Sequence, residues 1–132
     1  MLFRAEFKAH PGHRVVSIGE VGPDEMILDA GPLSVAEVVL KLNSVKTVVW
    51  NGPFGAFELP PFDTATVAVA KAVAERVRDG RLVAVAGGGD TVAAMNHAEV
   101  ADDLTYVSTA GGAFLEWMEG KALPGVEALR KG

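Results

Sequence analysis

The sequence contains no cysteine, which excludes a disulfide framework, a thiolate metal site and a cysteine nucleophile together. It has no basic excess either: 12 Lys and Arg stand against 17 Asp and Glu, a formal net charge of −5. Duplex nucleic acid is held through its phosphates by surplus cations, so no nucleic-acid partner is expected. No window approaches the ~20 apolar residues that cross a bilayer. The stretch 1–13, with Arg4, Glu6, Lys8 and His10, has no apolar h-region. Neither a membrane partner nor a secretory signal is expected, and the composition predicts a soluble, cytoplasmic protein. Charge is sparse: 22% of the 132 residues are charged and 49% apolar, with a mean hydropathy of +0.25. That is too apolar for disorder and rather apolar for one small free-standing domain, the default at this length.

Strand-like and helix-like stretches alternate along the chain. Arg14-Val15-Val16-Ser17-Ile18 reads as a short strand, and Glu25-Met26-Ile27-Leu28-Asp29 as a second that ends at Ala30-Gly31-Pro32. Val35, Val38, Val39 and Leu42 make one apolar face of a helix over 34–42, with Ser34 as its N-cap. Thr47-Val48-Val49-Trp50 is an apolar run of the kind buried on both faces of a parallel sheet. A loop over 51–61 with three prolines and two glycines leads to a helix from Asp63 or Thr64 to Arg78, closed by Asp79-Gly80. Leu82-Val83-Ala84-Val85-Ala86 is the next strand, and Gly87-Gly88-Gly89-Asp90 opens a short helix from Thr91. Leu104-Thr105-Tyr106-Val107 is the last strand, followed by Ser108-Thr109-Ala110-Gly111-Gly112 and a helix over 113–119. Such alternation implies βαβ units with right-handed crossovers. The predicted fold is α/β and Rossmann-like: a parallel sheet with helices on both faces, in three layers. It forms a body over 14–132 behind an N-terminal arm over about 1–13, without internal repeat or linker.

Three strands in succession, around Val49, Val85 and Val107, end in glycine-rich loops that open into helices. In an open parallel sheet such loops share the carboxyl edge, where ligands bind. Glycine lets backbone N–H groups face a ligand, and the following helix N-terminus adds unpaired donors and partial positive charge. Three such loops on one edge point to a phosphate-bearing ligand. Asp90 either holds Mg²⁺ and its waters or N-caps its helix, while Thr91 is placed to bond a phosphate oxygen. Glu58 either bonds ribose hydroxyls or is solvated, and Asp63 reads as an N-cap and nothing more. Trp50, Phe54, Phe57 and Phe62 cluster around one loop, and core packing accounts for at least half of them. His10, His13 and His97 are scattered. With no HExxH or Asp/His cluster, neither a metal triad nor a Ser–His–Asp hydrolase is expected, and with no GxGxxG or GxxxxGK[ST] neither the usual dinucleotide loop nor a Walker A loop is present.

Three of these stretches resemble successive signatures of the phosphoglycerate kinase family. They are Trp50-Asn51-Gly52-Pro53-Phe54-Gly55-Ala56-Phe57-Glu58, Gly87-Gly88-Gly89-Asp90-Thr91 and Ser108-Thr109-Ala110-Gly111-Gly112-Ala113-Phe114-Leu115-Glu116. Leu28-Asp29-Ala30-Gly31-Pro32 is similar to the family's LDxGP stretch, and Glu119-Gly120-Lys121-Ala122-Leu123-Pro124-Gly125-Val126 to its C-terminal end. The resemblance runs over about 24–129. It implies a two-domain glycolytic kinase that moves a phosphoryl group between 1,3-bisphosphoglycerate and Mg·ADP, giving 3-phosphoglycerate and ATP. Carried over, Leu28, Asn51, Pro53 and Ala56 border the adenine, and Glu58 bonds the ribose hydroxyls. Gly87, Gly88 and Gly89 cradle the nucleotide, Asp90 acts around Mg²⁺, and Thr91 contacts the phosphates. Gly111 and Gly112 offer N–H groups to the phosphoryl in flight. Many members have a third glycine where this chain has Ala110, which is tolerated if the position needs close approach rather than positive φ.

The resemblance further implies that this chain is the later part of the C-terminal, nucleotide-binding domain. The N-terminal domain that holds 3-phosphoglycerate, and the strands bearing the phosphate-pairing lysines, then lie outside it. Weak or undetectable nucleotide binding and no turnover are expected of the chain alone. A non-catalytic nucleotide-binding or interaction module derived from the kinase is the alternative. Strands suited to the middle of a larger sheet would leave an unpaired edge and exposed apolar surface, so self-association is expected.

Overall fold

The computed structural model describes residues 2–4, 12–110 and 119–120. Two small sheets are present among them. Strands β1 (Leu2–Arg4), β2 (Arg14–Val15) and β3 (Met26–Asp29) form an antiparallel sheet in the order β2-β1-β3. Strands β4 (Thr47–Asn51), β5 (Val83–Gly87) and β6 (Tyr106–Ser108) form a parallel sheet in sequence order. Helix α1 (Pro32–Lys41) joins the sheets, α2 (Thr64–Arg78) connects β4 to β5, and α3 (Gly89–His97) connects β5 to β6. The α/β class and the parallel sheet are as expected. The first two predicted strands, however, belong to a separate antiparallel layer, with a strand from the N-terminal arm lying between them.

Local chemistry explains the other shifts from expectation. The first strand stops at Val15, because Ser17 bonds Glu20 in a capping box that opens a single 3₁₀ turn over Ile18–Glu20. Helix α1 starts at Pro32 with Gly31 as N-cap, three residues ahead of the predicted N-cap Ser34. Proline's fixed φ suits the first helical position, where no N–H is needed. The last strand runs over Tyr106–Ser108 rather than 104–107, since Leu104 closes a 3₁₀ turn at Ala101–Asp103. Of the predicted helix over 113–119, only Glu119 falls among the described residues, in a turn with Gly120.

The core lies on one face of the parallel sheet. Helix α2 buries Ala65, Thr66, Val69, Ala70, Val73 and Ala74, a stripe at helical spacing. Its alanines allow close approach to Ala84 and Ala86 of β5, and Trp50, Met95 and Leu42 fill the rest. Val48 pairs with Ala84, and Trp50 with Ala86 and then Val107, so these residues share the covered face. On the opposite face Val49, Val83 and Tyr106 remain 42%, 46% and 59% exposed. Burial on both faces, expected from the apolar runs, therefore holds on one side for the described residues. Right-handed crossovers place helices on alternate faces only where strand order reverses, and β4-β5-β6 advances in one direction. Among the described residues no helix is long and apolar enough to cross a membrane.

The antiparallel layer is tied by a charged clasp. Arg14 of β2 donates twice to Glu25, at 2.9 and 2.7 Å, and Glu25 also accepts the Gly22 N–H at 2.8 Å. The Arg14 bond, followed by that N–H, holds the Glu25 carboxyl down to about 2 from an ordinary 4.5. A depressed carboxylate contributes stability that is present above its unfolded value and lost as pH falls toward its folded one. Stability should therefore fall between pH 4.5 and 2 partly through this group. Urea denaturation across that range should show a shallower acid slope for Glu25→Gln than for the unsubstituted chain.

Candidate functional site

Among the described residues three polar side chains are buried: Asp29, Thr66 and Thr91. All three bind main chain at or beside the loop that leaves β4. The Gly52 N–H donates to Thr91 Oγ1 at 2.6 Å, and the Phe54 N–H donates to Thr66 Oγ1 at 3.0 Å. The indole N–H of Trp50 donates back to the Gly52 carbonyl at 2.6 Å. The Ala56 N–H donates to the Leu28 carbonyl at 2.9 Å, seating the loop on the end of β3. A loop with so little regular structure stays in one place because its buried donors are each given a specific acceptor.

Asp29 anchors this arrangement. One carboxylate oxygen accepts the Ala30 N–H at 2.9 Å, and the other accepts the Ala65 N–H at 3.1 Å in the first turn of α2. The side chain of Asp63 occupies the N-cap position of α2 but makes no capping bond, so Asp29 supplies the acceptor from another sheet. Gly55 lies directly on this group. A Cβ there would come within 2.6 Å of the Asp29 carboxylate and would also strike the Leu28 carbonyl. Burial pushes the Asp29 carboxyl above its ordinary value of 3.8; the Ala65 and Ala30 N–H groups pull it back, and neighbouring Asp63 pushes it up again. Its linkage thus has the opposite sign to that of Glu25: the contribution is full at acid pH and lost as pH rises through the folded value.

Of the predicted site residues, Asn51 and Gly87 stand side by side at the ends of adjacent parallel strands, and Leu28 lies in the antiparallel sheet. Asn51, Gly87 and Ser108 lie in register at the carboxyl ends of β4, β5 and β6, and the Gly88 N–H donates to the Ser108 carbonyl at 2.9 Å. Asn51 and Glu58 are exposed, Pro53 and Ala56 half-buried, and Leu28 buried against Phe62. Gly87 is buried at the strand end, and Gly88, at φ +103°, turns the chain into α3 as its N-cap. Gly89 and exposed Asp90 are the first two residues of α3, which starts two residues earlier than predicted. Asp90 is therefore not the N-cap, and that alternative role falls away. Thr91, predicted to face phosphates, is buried with its hydroxyl on Gly52. Of the four loop aromatics, Trp50, Phe57 and Phe62 are buried and Phe54 is exposed. Gly111 and Gly112 lie outside the described residues.

Sequence reasoning missed the anchoring roles of Asp29, Gly55 and Thr66. It also missed the partner of Asp63, whose carboxylate meets His97 Nε2 at 2.8 Å. Two cavities lie away from this edge. One, of about 540 Å³, is lined by Lys46, Arg76 and Arg81 with Leu42, Leu82 and Val83. It sits beside the carboxyl ends of α1 and α2, where helix dipoles disfavour an anion. The other, of about 590 Å³, lies between α2 and the stretch 98–103. Neither contains a predicted site residue. Among the described residues no three His, Asp or Glu side chains gather to hold a metal ion. Mg²⁺ held through one carboxylate, waters and a ligand's phosphates needs no such cluster, and Asp90, at the start of α3, is an exposed carboxylate that would suit it.

The fold and this edge define an α/β protein whose glycine-rich loops converge at the carboxyl end of a parallel sheet. A model of the family "Phosphoglycerate kinase" matches residues 1–121, beginning well before the resemblance read from the motifs. A phosphoglycerate kinase of Xanthobacter autotrophicus is 73% identical over 126 residues, covering 96% of this chain and 32% of that protein. One of Azorhizobium caulinodans is also 73% identical, over 125 residues, with 95% and 32% covered. The structure of phosphoglycerate kinase from Coxiella burnetii superposes with a TM-score of 0.85 at 40% identity, covering 96% of this chain and 32% of that one. The chain belongs to the phosphoglycerate kinase family, and it spans about a third of the length of the curated relatives it matches.

Gly55 gives the site a direct packing test. Its Cβ would meet backbone and a buried carboxylate, neither of which can swing aside. Gly55→Ala should cost roughly 2–3 kcal/mol. Gly52→Ala, strained at φ +92° but opening onto free space, should cost about 1 kcal/mol. Urea denaturation of the two variants checks the order.

Proposed function

We propose that this chain carries the later part of the Mg·ADP/ATP site of a phosphoglycerate kinase. The reaction is reversible phosphoryl transfer between 1,3-bisphosphoglycerate and ADP, and the acceptor site lies in the remaining family length. The observation that carries this reading is the register of Asn51, Gly87 and Ser108, which brings the ends of three glycine-rich motifs to one sheet edge. Mg²⁺ bound with the nucleotide would neutralise phosphate charge. The residues of this chain bind and orient, which is most of what phosphoryl transfer asks of a protein. Helix geometry leaves the N–H groups of Gly89, Asp90 and Thr91 without intrahelical acceptors, and these face the phosphates. An Asp90 carboxylate at such an anion site is tolerable only with a cation between it and the phosphates, so Asp90 is the metal-side ligand.

Asn51, Pro53 and Ala56 border the adenine, with Leu28 beneath them, and Glu58 accepts from the ribose hydroxyls. Thr91 acts through Gly52, holding the adenine-side loop against the phosphate-side helix, and Gly111 and Gly112 serve the transferring group. The cytoplasm as setting, 3-phosphoglycerate as a partner of the rest of the family length, and self-association through the exposed Val49, Val83 and Tyr106 face belong to the same reading.

Backbone amide shifts during a Mg·ADP titration of the 132-residue chain test this. Shifts should gather at Gly52, Gly55, Glu58, Gly88 and Gly89, with a dissociation constant on the order of 1 mM. Asp90→Asn should abolish the Mg²⁺ dependence. Shifts gathered instead around Lys46, Arg76 and Arg81, or robust kinase turnover by this chain alone, would contradict it.

A further inference from the structure

We propose that His97 is a positioning residue for the ribose side of the nucleotide site, fixing the stretch 57–63 that carries Glu58 through its contacts with Asp63 and Phe57. The proposal rests on the nucleotide reading above and names a residue which that reading does not use. Helix α3 touches the loop at both of its ends. Near its start, Thr91 Oγ1 accepts the Gly52 N–H at 2.6 Å. At its close, His97 Nε2 meets Asp63 Oδ2 at 2.8 Å. Six residue steps along the helix, about 9 Å, separate these two holds. The buried Phe57 ring stands edge-on to the same His97 ring, centroids 6.1 Å apart. Glu58 directly follows Phe57, so the segment bearing the ribose carboxylate is bracketed by two contacts to one imidazole.

The position of Asp63 shows why a partner is needed. It sits at the N-cap of α2 without capping it, because buried Asp29 already accepts the Ala65 N–H. Two carboxylates at one helix N-terminus repel, and Asp63 does push the Asp29 carboxyl upward. Turned toward His97, Asp63 acquires a donor and draws the end of the loop onto α3. Exposed Asp90 at one end of α3 and exposed Glu58 on the loop are then held in a fixed relation by a single nine-residue helix.

The test compares the 132-residue chain with His97→Ala and His97→Gln, by amide hydrogen exchange without ligand and by titration with Mg·ADP and Mg·pyrophosphate. His97→Ala should speed exchange at Phe57, Leu59 and Phe62 while leaving Gly52 and Phe54, held by Thr91 and Thr66, unchanged. It should weaken Mg·ADP about five-fold, the scale of one exposed hydrogen-bonded pair, and leave pyrophosphate, which has no ribose, unaffected. His97→Gln restores a donor to Asp63 and should recover ADP affinity to within about two-fold. Unchanged exchange in His97→Ala, or equal weakening of ADP and pyrophosphate, would overturn the proposal. If the unsubstituted chain shows no ADP-induced shift, the nucleotide reading fails and the positioning role fails with it. The exchange rates, which need no nucleotide, separate that outcome from failure of the His97 clamp.

Discussion

A carboxylate taken out of water must be given donors, and at Asp29 those donors come from two different parts of the fold. The residue just after its own strand supplies the Ala30 N–H, and helix α2 supplies the Ala65 N–H. The antiparallel layer is thereby joined to the α/β layer at one buried charge, and Gly55 of the intervening loop packs on that charge because it has no side chain. The raised pKa shows that the donors only partly offset the cost of burial. Such a group adds little net stability; it specifies where its partners must be. Removing it would leave two N–H groups without an acceptor, each worth about 1–3 kcal/mol.

The rest of the site follows from that placement. With Gly55 and Ala56 seated on β3, the loop can reach back to Thr66 of α2 and Thr91 of α3, whose hydroxyls accept the Phe54 and Gly52 N–H groups. Two helices on one sheet face therefore hold the loop from below. The strand ends Asn51, Gly87 and Ser108 remain in register beside it. The same one-directional strand order that puts these helices on one face leaves Val49, Val83 and Tyr106 uncovered on the other. Part of the apolar content that is high for so short a chain is thus exposed on that face.

Much of this was legible in the sequence. The apolar runs at Val48 and Val85 and the alanine-rich helix gave the βαβ order, because period and composition report burial directly. The glycine-rich loops marked the carboxyl edge because three predicted strands in succession end in them, where a single one could serve packing alone. What stayed hidden depends on contacts distant in the chain. Asp29 and Ala65 are 36 residues apart, Gly52 and Thr91 39, and Asp63 and His97 34, and no local pattern announces such pairs. Thr66 sits in an ordinary helical stretch, and its hydroxyl has meaning only once Phe54 is above it. The antiparallel layer was misread as part of the main sheet because short strands such as Arg14–Val15 carry no periodicity that fixes their partner.

If one buried carboxylate seats the loop, donors that it does not touch depend on it as well. Amide hydrogen exchange of Asp29→Ala against the unsubstituted chain, under conditions where both are folded, tests it most directly. Gly52, Phe54 and Ala56 should lose protection together, although none of their N–H groups bonds Asp29. Faster exchange confined to Ala30 and Ala65, with those three loop amides unchanged, would contradict it.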